Sequence, residues 1–160
     1  VGRWGYRFSI RRMLLAASTG KGFICKMEDV VAETRKGRGV VTLKPGARLQ
    51  VVRLAPAETS EEVAAKDQYV AVVGENRKLV IFPMNEIPEM AKGQGVTLQR
   101  YKDGGLSDAT CFSLSEGLSW TMGGDSGRTR TETDLTQWRV ARGAAGRLPP
   151  QGFPRNNRFD

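Results

Sequence analysis

The sequence predicts an all-β, propeller-like fold built from about three repeated blade-like units. The first observation is a repeated cluster: Lys-Gly-Arg-Gly-Val at 36–40 returns 56 positions later as Lys-Gly-Gln-Gly-Val at 92–96. The second is that short apolar runs separated by a turn precede each copy, and such runs are typical of β-hairpins. Self-similarity at a fixed spacing indicates a repeat architecture, in which each unit is one supersecondary element.

The repeat extends through the hairpin that precedes each cluster. At the spacing of 56, Leu14–Ala17 aligns with Val70–Val73, and the turn Thr19–Lys21 aligns with Glu75–Arg77. A weaker third copy covers residues 120–146. We therefore divide the chain into a first unit with an N-terminal strand (1–54), a surface excursion with helical potential (55–68), a second unit (69–117), a degenerate third unit (118–148) and a basic tail rich in proline and glycine (149–160).

Individual elements follow from local patterns. Residues 3–11 alternate between apolar and polar side chains, as a half-buried strand does. Gly20 supplies the backbone freedom that a tight hairpin needs, and Thr59–Glu62 has the spacing of a helical capping box. The tail is expected to be extended or disordered unless Phe153 and Phe159 anchor it. Further strands are expected at about 13–17, 23–26, 40–43, 48–54, 69–73, 78–82, 96–101 and 109–114.

Composition excludes several classes of site. The chain of 160 residues contains no histidine, which removes Ser-His and Cys-His nucleophile pairs and most zinc sites. No apolar run approaches the ~18 residues of a membrane helix, so no membrane partner is expected. Cys25 and Cys111 lie in apolar runs and are expected to be buried free thiols of a cytosolic protein. Because the sequence opens on Val1 rather than Met, we expect a fragment of a longer chain.

Positive charge is concentrated in the first third of the chain. The formal net charge is +8, and residues 1–50 carry 11 basic against 3 acidic side chains. The pI is near 9.9. A basic face at high pI is the footprint expected of a protein that binds a polyanion. The alternative is a solvated surface without a specific partner.

The cations of the repeats form the candidate site. They flank the glycines of each cluster and occupy the hairpin tips, where backbone N–H groups and positive charge would both favour an anion. The alternative is a tight turn whose lysines only solvate the edge of a sheet. The sequence contains no phosphate-binding Gly-x-x-x-x-Gly-Lys-Ser/Thr loop. The residues expected to contact a polyanion are Lys21, Arg35, Lys36, Arg38, Arg77, Lys78, Lys92, Arg100 and Lys102.

Recurring acidic and aromatic residues are assigned to structure rather than to chemistry. Glu86 and Asp134 each stand beside an apolar residue at a corner, where a carboxylate caps a short turn. Aromatic residues that fall on positions repeating as apolar are expected in the core, not as base-stacking platforms: Phe23, Phe82, Trp120 and Trp138.

These motifs together resemble the C-terminal domain of the A subunit of bacterial type IIA topoisomerases, and topoisomerase IV in particular. The similarity covers about residues 13–160, and its most specific parts are Ala91–Asp108 and the ending Gly152–Phe159. It implies a β-pinwheel, in which four-stranded blades exchange strands and duplex DNA bends along a basic outer rim. The Gln-Arg-Arg-Gly-Gly-Lys-Gly box of the gyrase A subunit is absent. Its absence favours topoisomerase IV, or a fragment that lacks the boxed blade.

The resemblance also implies a role within a parent enzyme. That enzyme would pass one duplex through another at the expense of ATP, and would thereby decatenate and relax DNA. ATP and Mg would be bound by other domains, and a companion B subunit would complete an assembly of two A and two B subunits in the cytoplasm, at the nucleoid. The fragment itself is expected to be non-catalytic and to hold no cofactor. Arg100–Tyr101 matches the dipeptide at the family's cleavage tyrosine, but it lies on a predicted strand inside a blade, so we do not interpret Tyr101 as a nucleophile.

The predicted function is sequence-independent binding of duplex DNA through phosphate contacts, with an affinity that falls steeply with salt. Two alternatives remain. One is a propeller-like scaffold whose basic face binds a protein partner, which would show tight protein binding and only weak, salt-sensitive DNA binding. The other is an enzyme that acts alone, which cleavage or ATPase activity of the isolated chain would reveal.

Overall fold

The computed structural model describes residues 12–26, 41–55, 67–122 and 128–160, which form antiparallel sheets without an α-helix. The predicted strand 3–11 and most of the surface excursion 55–68 lie outside the described residues. No helix in the described ranges is long and apolar enough to cross a membrane. The strands are β1 (Arg12–Ala17), β2 (Lys21–Lys26), β3 (Leu49–Ala55), β4 (Gln68–Gly74), β5 (Leu79–Pro83), β6 (Val96–Thr97), β7 (Leu106–Ser113), β8 (Leu118–Thr121) and β9 (Thr129–Glu132), and short 3-10 helices span Met84–Glu86 and Thr136–Trp138.

The strands form three sheets, and consecutive units exchange backbone. The first sheet has the order β3-β1-β2-β6, the second β5-β4-β7 and the third β8-β9. Although β6 follows the second hairpin in sequence, it pairs with β2 of the first sheet. In the same way Arg147, which follows the third hairpin, forms a bridge to Leu79 of β5. Each unit therefore reaches back to the unit before it, which is the strand exchange expected of a β-pinwheel.

The second sheet is buried on both faces, which explains the continuous apolar sequence of β4. Val70 and Val72 belong to the hydrophobic cluster shared with the first sheet. Ala71 and Val73, on the opposite face, belong to the cluster shared with β8 and the tail. All four residues are fully buried. A short, uninterrupted apolar run is the pattern of a strand that is covered on both sides.

The structure corrects the sequence alignment of the two hairpins by one residue. Ala16 lies opposite Gly22 in the first hairpin, and Val73 lies opposite Leu79 in the second. Equivalent hairpin positions are therefore 57 residues apart, although the glycine clusters are 56 apart. The difference matters because a shift of one residue along a strand moves every side chain to the other face of the sheet.

The corrected register also changes the match between the hairpin turns. Gly20 and Arg77 both have positive φ, 97° and 66° respectively, and occupy equivalent places in the two turns. Lys21 is thus equivalent to Lys78 rather than to Arg77. Arg77 takes the left-handed position at which the first unit has glycine, a conformation that is uncommon for any other residue type.

The segment predicted as one strand at 96–101 is paired over Val96–Thr97 only. Beyond Thr97 the chain leaves β2 and crosses toward the second sheet. There the side-chain amide nitrogen of Gln99 donates to the backbone carbonyl of Lys78 at 2.8 Å. Similarly, only Val41 of the predicted strand 40–43 makes a bridge among the described residues. Leu98 and Gln99 are buried where the first of these segments crosses between the sheets, whereas Thr42 and Leu43 of the other segment are exposed.

The C-terminal tail is anchored by the two phenylalanines on which its order was expected to depend. Phe153 and Phe159 are each only 3% exposed, and their rings meet edge to face with centroids 5.4 Å apart. Phe159 N–H donates to a carboxylate oxygen of Asp108 at 2.9 Å, which ties the tail to β7. The side chains that were expected in the core are buried in the structure, namely Phe23, Phe82, Trp120 and Trp138.

The expectations for the cysteines and the corner acids hold in part. Cys25 is buried and Cys111 is partly buried, and neither forms a disulfide within the described part of the chain. Asp134 accepts a hydrogen bond from the Thr136 hydroxyl at 3.0 Å at the start of the second 3-10 helix. Ile87 and Leu135, the apolar neighbours of the corner acids, are 5% and 2% exposed.

Candidate nucleic-acid interface

At the first junction between units, the arm 92–97 of the second unit meets the first unit. Thr42 N–H donates to the Gly93 carbonyl at 2.8 Å, and the Lys21 ammonium donates to the Gln94 side-chain oxygen at 3.5 Å. The hairpin tip, the arm and the segment before β3 therefore converge at one place. A groove at this junction is lined by Thr19, Lys21, Thr42, Leu43, Lys44 and Gln94.

Close backbone packing explains why glycine occurs in both arms. Gly95 has φ +81° and lies so close to the backbone of β2 that a Cβ atom would overlap the Gly22 carbonyl. At Gly146, with φ +90°, a Cβ atom would lie 2.5 Å from the Leu79 carbonyl oxygen. Only glycine fits both the backbone conformation and the contact. The recurrence of glycine thus follows from strand exchange and does not require a bound phosphate.

The second junction repeats this arrangement between the second and third units, with the arm at 142–147. The Gln99 side chain is 1% exposed, and its amide nitrogen donates to the carbonyls of Lys78 at 2.8 Å and Ala145 at 3.0 Å. Arg100 N–H donates to the Ala144 carbonyl at 3.4 Å. One buried amide thus fixes the second hairpin tip, the crossing segment and the arm of the third unit relative to one another.

The structure brings four of the predicted contact residues to these junctions and leaves a fifth nearby. Lys21 and Lys92 lie at the first junction, and Lys78 and Arg100 at the second; Lys102 is exposed in the loop that follows Arg100. None of the five makes an ion pair with an acid of the described ranges. Their positive charges are therefore not neutralised by the described part of the chain. Three other predicted residues lie outside it: Arg35, Lys36 and Arg38.

Arg77 is at the second hairpin tip, but its guanidinium is engaged with the tail. It donates to the carbonyls of Phe153 at 2.7 Å and Pro154 at 2.8 Å, and to the side-chain oxygen of Asn157 at 3.0 Å. Its central carbon also lies 5.9 Å from the centre of the Phe153 ring, within cation–π range. In this arrangement Arg77 stabilises the tail, and a contact between Arg77 and DNA stays a prediction.

Tyr101 fills the space between the two hairpin turns. Carbon atoms of its ring lie 2.7 Å from the place where a Cβ atom on Gly20 would be, and 2.6 Å from that place on Gly74. Burial, with a smaller contribution from the Glu75 carboxylate, raises the pKa of the Tyr101 hydroxyl well above its usual value. That hydroxyl has no hydrogen-bond partner among the described residues. A phenol in this setting packs the junction and stays protonated at neutral pH.

Sequence reasoning missed two cations at the junctions, Lys44 and Arg142. Lys44 is exposed and lines the groove of the first junction. Arg142 is partly buried, and its guanidinium donates to the Thr97 carbonyl at 2.7 Å. The repeat itself carried the signal, because Lys44 and Arg100 each stand five residues after the second glycine of a cluster. The described ranges contain no group of three or more Cys, Asp or Glu side chains placed to hold a metal ion.

Three exchanged sheets with basic junctions define the class of protein as a β-pinwheel. The chain belongs to the DNA gyrase C-terminal domain, beta-propeller family, whose model matches residues 12–55 and 68–106.

Two similar proteins indicate which branch of the family this chain resembles. The chain is 40% identical to the A subunit of DNA topoisomerase 4 from Rickettsia bellii, over 92% of its own length and 18% of the relative's. It is 34% identical to the corresponding subunit from Caulobacter vibrioides, over 93% of its length and 18% of the relative's. The chain therefore spans under a fifth of the length of these relatives.

A solved structure has the same fold. The E. coli ParC C-terminal domain matches with a TM-score of 0.64 and 21% identity, over 92% of this chain and 58% of that one. The prediction of a topoisomerase IV-type β-pinwheel is confirmed.

Proposed function

We propose that this domain binds duplex DNA without sequence preference, along the edge that carries the two junctions, and bends it. The observation that carries the proposal is the recurrence, at equivalent places in successive units, of cations without an ion-pair partner in the described ranges, first Lys21 and then Lys78. A point ligand needs one cluster of charge, whereas a row of cations at regular spacing suits the regular phosphates of a duplex.

The rigidity of the junctions supports bending. Buried hydrogen bonds and close glycine contacts fix each unit against the next. Because the backbone that carries the cations is fixed, the DNA is the partner that bends. Bending a site of 20–30 base pairs costs on the order of 1–6 kcal/mol. Several additional phosphate contacts along the array would offset that cost.

Family membership supports a wider proposal for the parent protein. As part of the A subunit of a topoisomerase IV, the domain would present a duplex to the cleavage domain for ATP-dependent strand passage, in decatenation and supercoil relaxation. A companion B subunit would complete an assembly of two copies of each. ATP and Mg would be bound by those other parts of the assembly, as membership of this family implies.

The test is binding of the chain to duplexes of 10 and 40 base pairs across a salt series, with bending followed by energy transfer between the DNA ends. Four phosphate contacts predict a log–log salt slope of about −3.6, so raising salt from 50 to 200 mM should weaken binding on the order of 100-fold. The longer duplex should bind more tightly and show bending, with no preference between scrambled sequences. A flat salt dependence, or tight capture of a protein with only weak DNA binding, would refute the proposal.

A further inference from the structure

We propose that the two junctions are equivalent phosphate-binding sites, each formed by three cations, and that Lys44 and Arg142 complete them. The inference rests on the proposed DNA binding and adds what the sequence did not assign, namely which side chains act together at each junction. The first site combines Lys21, Lys44 and Lys92. The second combines Lys78, Arg100 and Arg142.

The first site is a groove held in place from both sides. Lys21 and Lys44 line it together with the Gln94 side chain, and Lys92 directly precedes Gly93, whose carbonyl accepts the Thr42 N–H at 2.8 Å. Hydroxyls of Thr19 and Thr42 add donors to the same groove. A phosphate placed there would meet the ammonium groups of Lys21 and Lys44, which come from segments remote in sequence, and Lys92 adds a third positive charge on the arm two residues before Gln94.

Lys44 is presented by a fixed turn rather than by a free loop. The Ala47 N–H donates to the Lys44 carbonyl at 2.9 Å, which closes the turn. The turn is fastened to the first hairpin tip, because Ser18 N–H donates to the Arg48 carbonyl at 2.8 Å and Arg48 N–H donates to the Ser18 hydroxyl at 3.0 Å. A cation on a pre-organised turn loses less conformational freedom when it binds.

The second site has the same construction one unit later. Gly143 N–H donates to the Leu98 carbonyl at 2.9 Å, as the arm meets the crossing segment. Arg142 precedes Gly143 as Lys92 precedes Gly93, and its guanidinium reaches the Thr97 carbonyl at 2.7 Å. An acid is also present here, because the exposed Glu86 carboxylate accepts the Arg142 backbone N–H at 3.4 Å. The exposed Glu75 carboxylate also lies in this hairpin turn. With three cations against two exposed acids, the site keeps a net positive charge.

Charge-neutralising variants at one exposed member of each site give the test. Lys44→Gln and Arg100→Gln should each lower affinity for a 40-base-pair duplex by roughly 5- to 10-fold at 0.1 M salt and reduce the salt slope by about 1. The control is Arg139→Gln, an exposed cation whose guanidinium lies over the Tyr69 ring, at the opposite end of β4 from the second hairpin tip. This variant should leave affinity and slope unchanged. If both sites contact one duplex, the two losses should multiply in the double variant.

Arg142 is tested by a conservative pair, since its side chain also has a structural contact. Arg142→Lys should bind DNA nearly as well as the parent chain, whereas Arg142→Gln should lose affinity to the same extent as Arg100→Gln. Urea unfolding of every variant shows whether a loss of DNA affinity comes from a less stable fold. If Arg142→Lys and Arg142→Gln lose affinity equally, the charge of Arg142 is not part of the site.

Failure of the inference and of the proposed function are distinguishable. If the parent chain shows a steep salt slope but Lys44→Gln and Arg100→Gln behave as Arg139→Gln does, the domain binds DNA elsewhere and the paired sites are wrong. If the parent chain does not bind DNA in low salt, the proposed function fails and the inference fails with it. A loss at one site alone would refute their equivalence.

Discussion

Gly95→Ala should destabilise the domain far more than Gly46→Ala, although both glycines are in the left-handed conformation. Gly95 has φ +81° and Gly46 has φ +83°, so alanine would meet the same conformational strain at either position. The surroundings differ. A Cβ atom on Gly95 would overlap the Gly22 carbonyl, whereas nothing lies within 4 Å of a Cβ atom on Gly46. The pair of variants therefore separates the strain of the backbone from the close approach of the arm to β2.

The expected magnitudes follow from these contacts. Left-handed backbone costs an alanine roughly 1–2 kcal/mol, which is the whole effect expected for Gly46→Ala. At Gly95 the clash is with backbone and cannot be relieved by a side-chain rotation, so the arm must move away from β2. That movement would break the pairing of Lys21 with Thr97 and Gly22 with Val96, and each lost hydrogen bond contributes about 0.5–1.5 kcal/mol. We expect Gly95→Ala to cost about 3–5 kcal/mol in total.

The free energy of unfolding is measured by urea denaturation of the three proteins, with intrinsic tryptophan fluorescence as the signal. A Gly95→Ala chain that fails to fold, beside a Gly46→Ala chain that folds, agrees with the reasoning. Equal losses for the two variants would refute it, because the close approach of the arm would then carry no energetic weight. Denaturation slopes that differ between variants would show that the unfolded or native states had also changed.

Two further predictions concern ionisable groups. The hydrogen bond from Arg53 holds the pKa of Asp160 below its usual 3.8, so the stability this carboxylate contributes is present above that pH and lost as the pH falls below it. In urea unfolding, the parent chain should be more stable than Asp160→Asn at pH 5 and equal to it near pH 2; a constant difference would contradict the assignment. Burial raises the pKa of the Cys111 thiol to about 11, so at pH 8, in a Cys25→Ala background, iodoacetamide should alkylate native Cys111 roughly 100-fold more slowly than the urea-unfolded thiol. Equal rates would mean that Cys111 is not shielded in the folded domain.

Much of the fold could be predicted from the sequence because the repeat and the apolar runs are local signals. The strands β1, β4 and β5 fall where the pattern placed them, within a residue or so. The register of the hairpins could not be read in this way. The spacing between hairpin and glycine cluster differs by one residue between the two units, and both patterns stay recognisable in the sequence despite it. Only backbone pairing, such as that of Ala16 with Gly22, decides which face of the sheet each side chain takes.

The candidate site was predicted in part, for a related reason. Lys21, Lys78, Lys92 and Arg100 were found as cations beside turns and glycines, and the structure brings them to two junctions. Lys44 was missed because its relation to Lys21 arises only when the arm closes the groove. Arg77 has the sequence environment of a surface contact, yet its guanidinium turns to the tail, 76 positions away at the Phe153 carbonyl.

The amino-acid sequence was enough to establish a repeated β structure with a basic surface, because periodicity and composition depend only on neighbours along the chain. The sequence also shows glycines at two positions of each arm, but it does not show why glycine is needed there. Which unit each arm joins, which cations stand together and which are used within the fold became clear only from the folded molecule. Those outcomes depend on backbone hydrogen bonds between segments far apart in sequence, such as Arg147 with Leu79. Such bonds form only when the packed sheets bring both partners within reach.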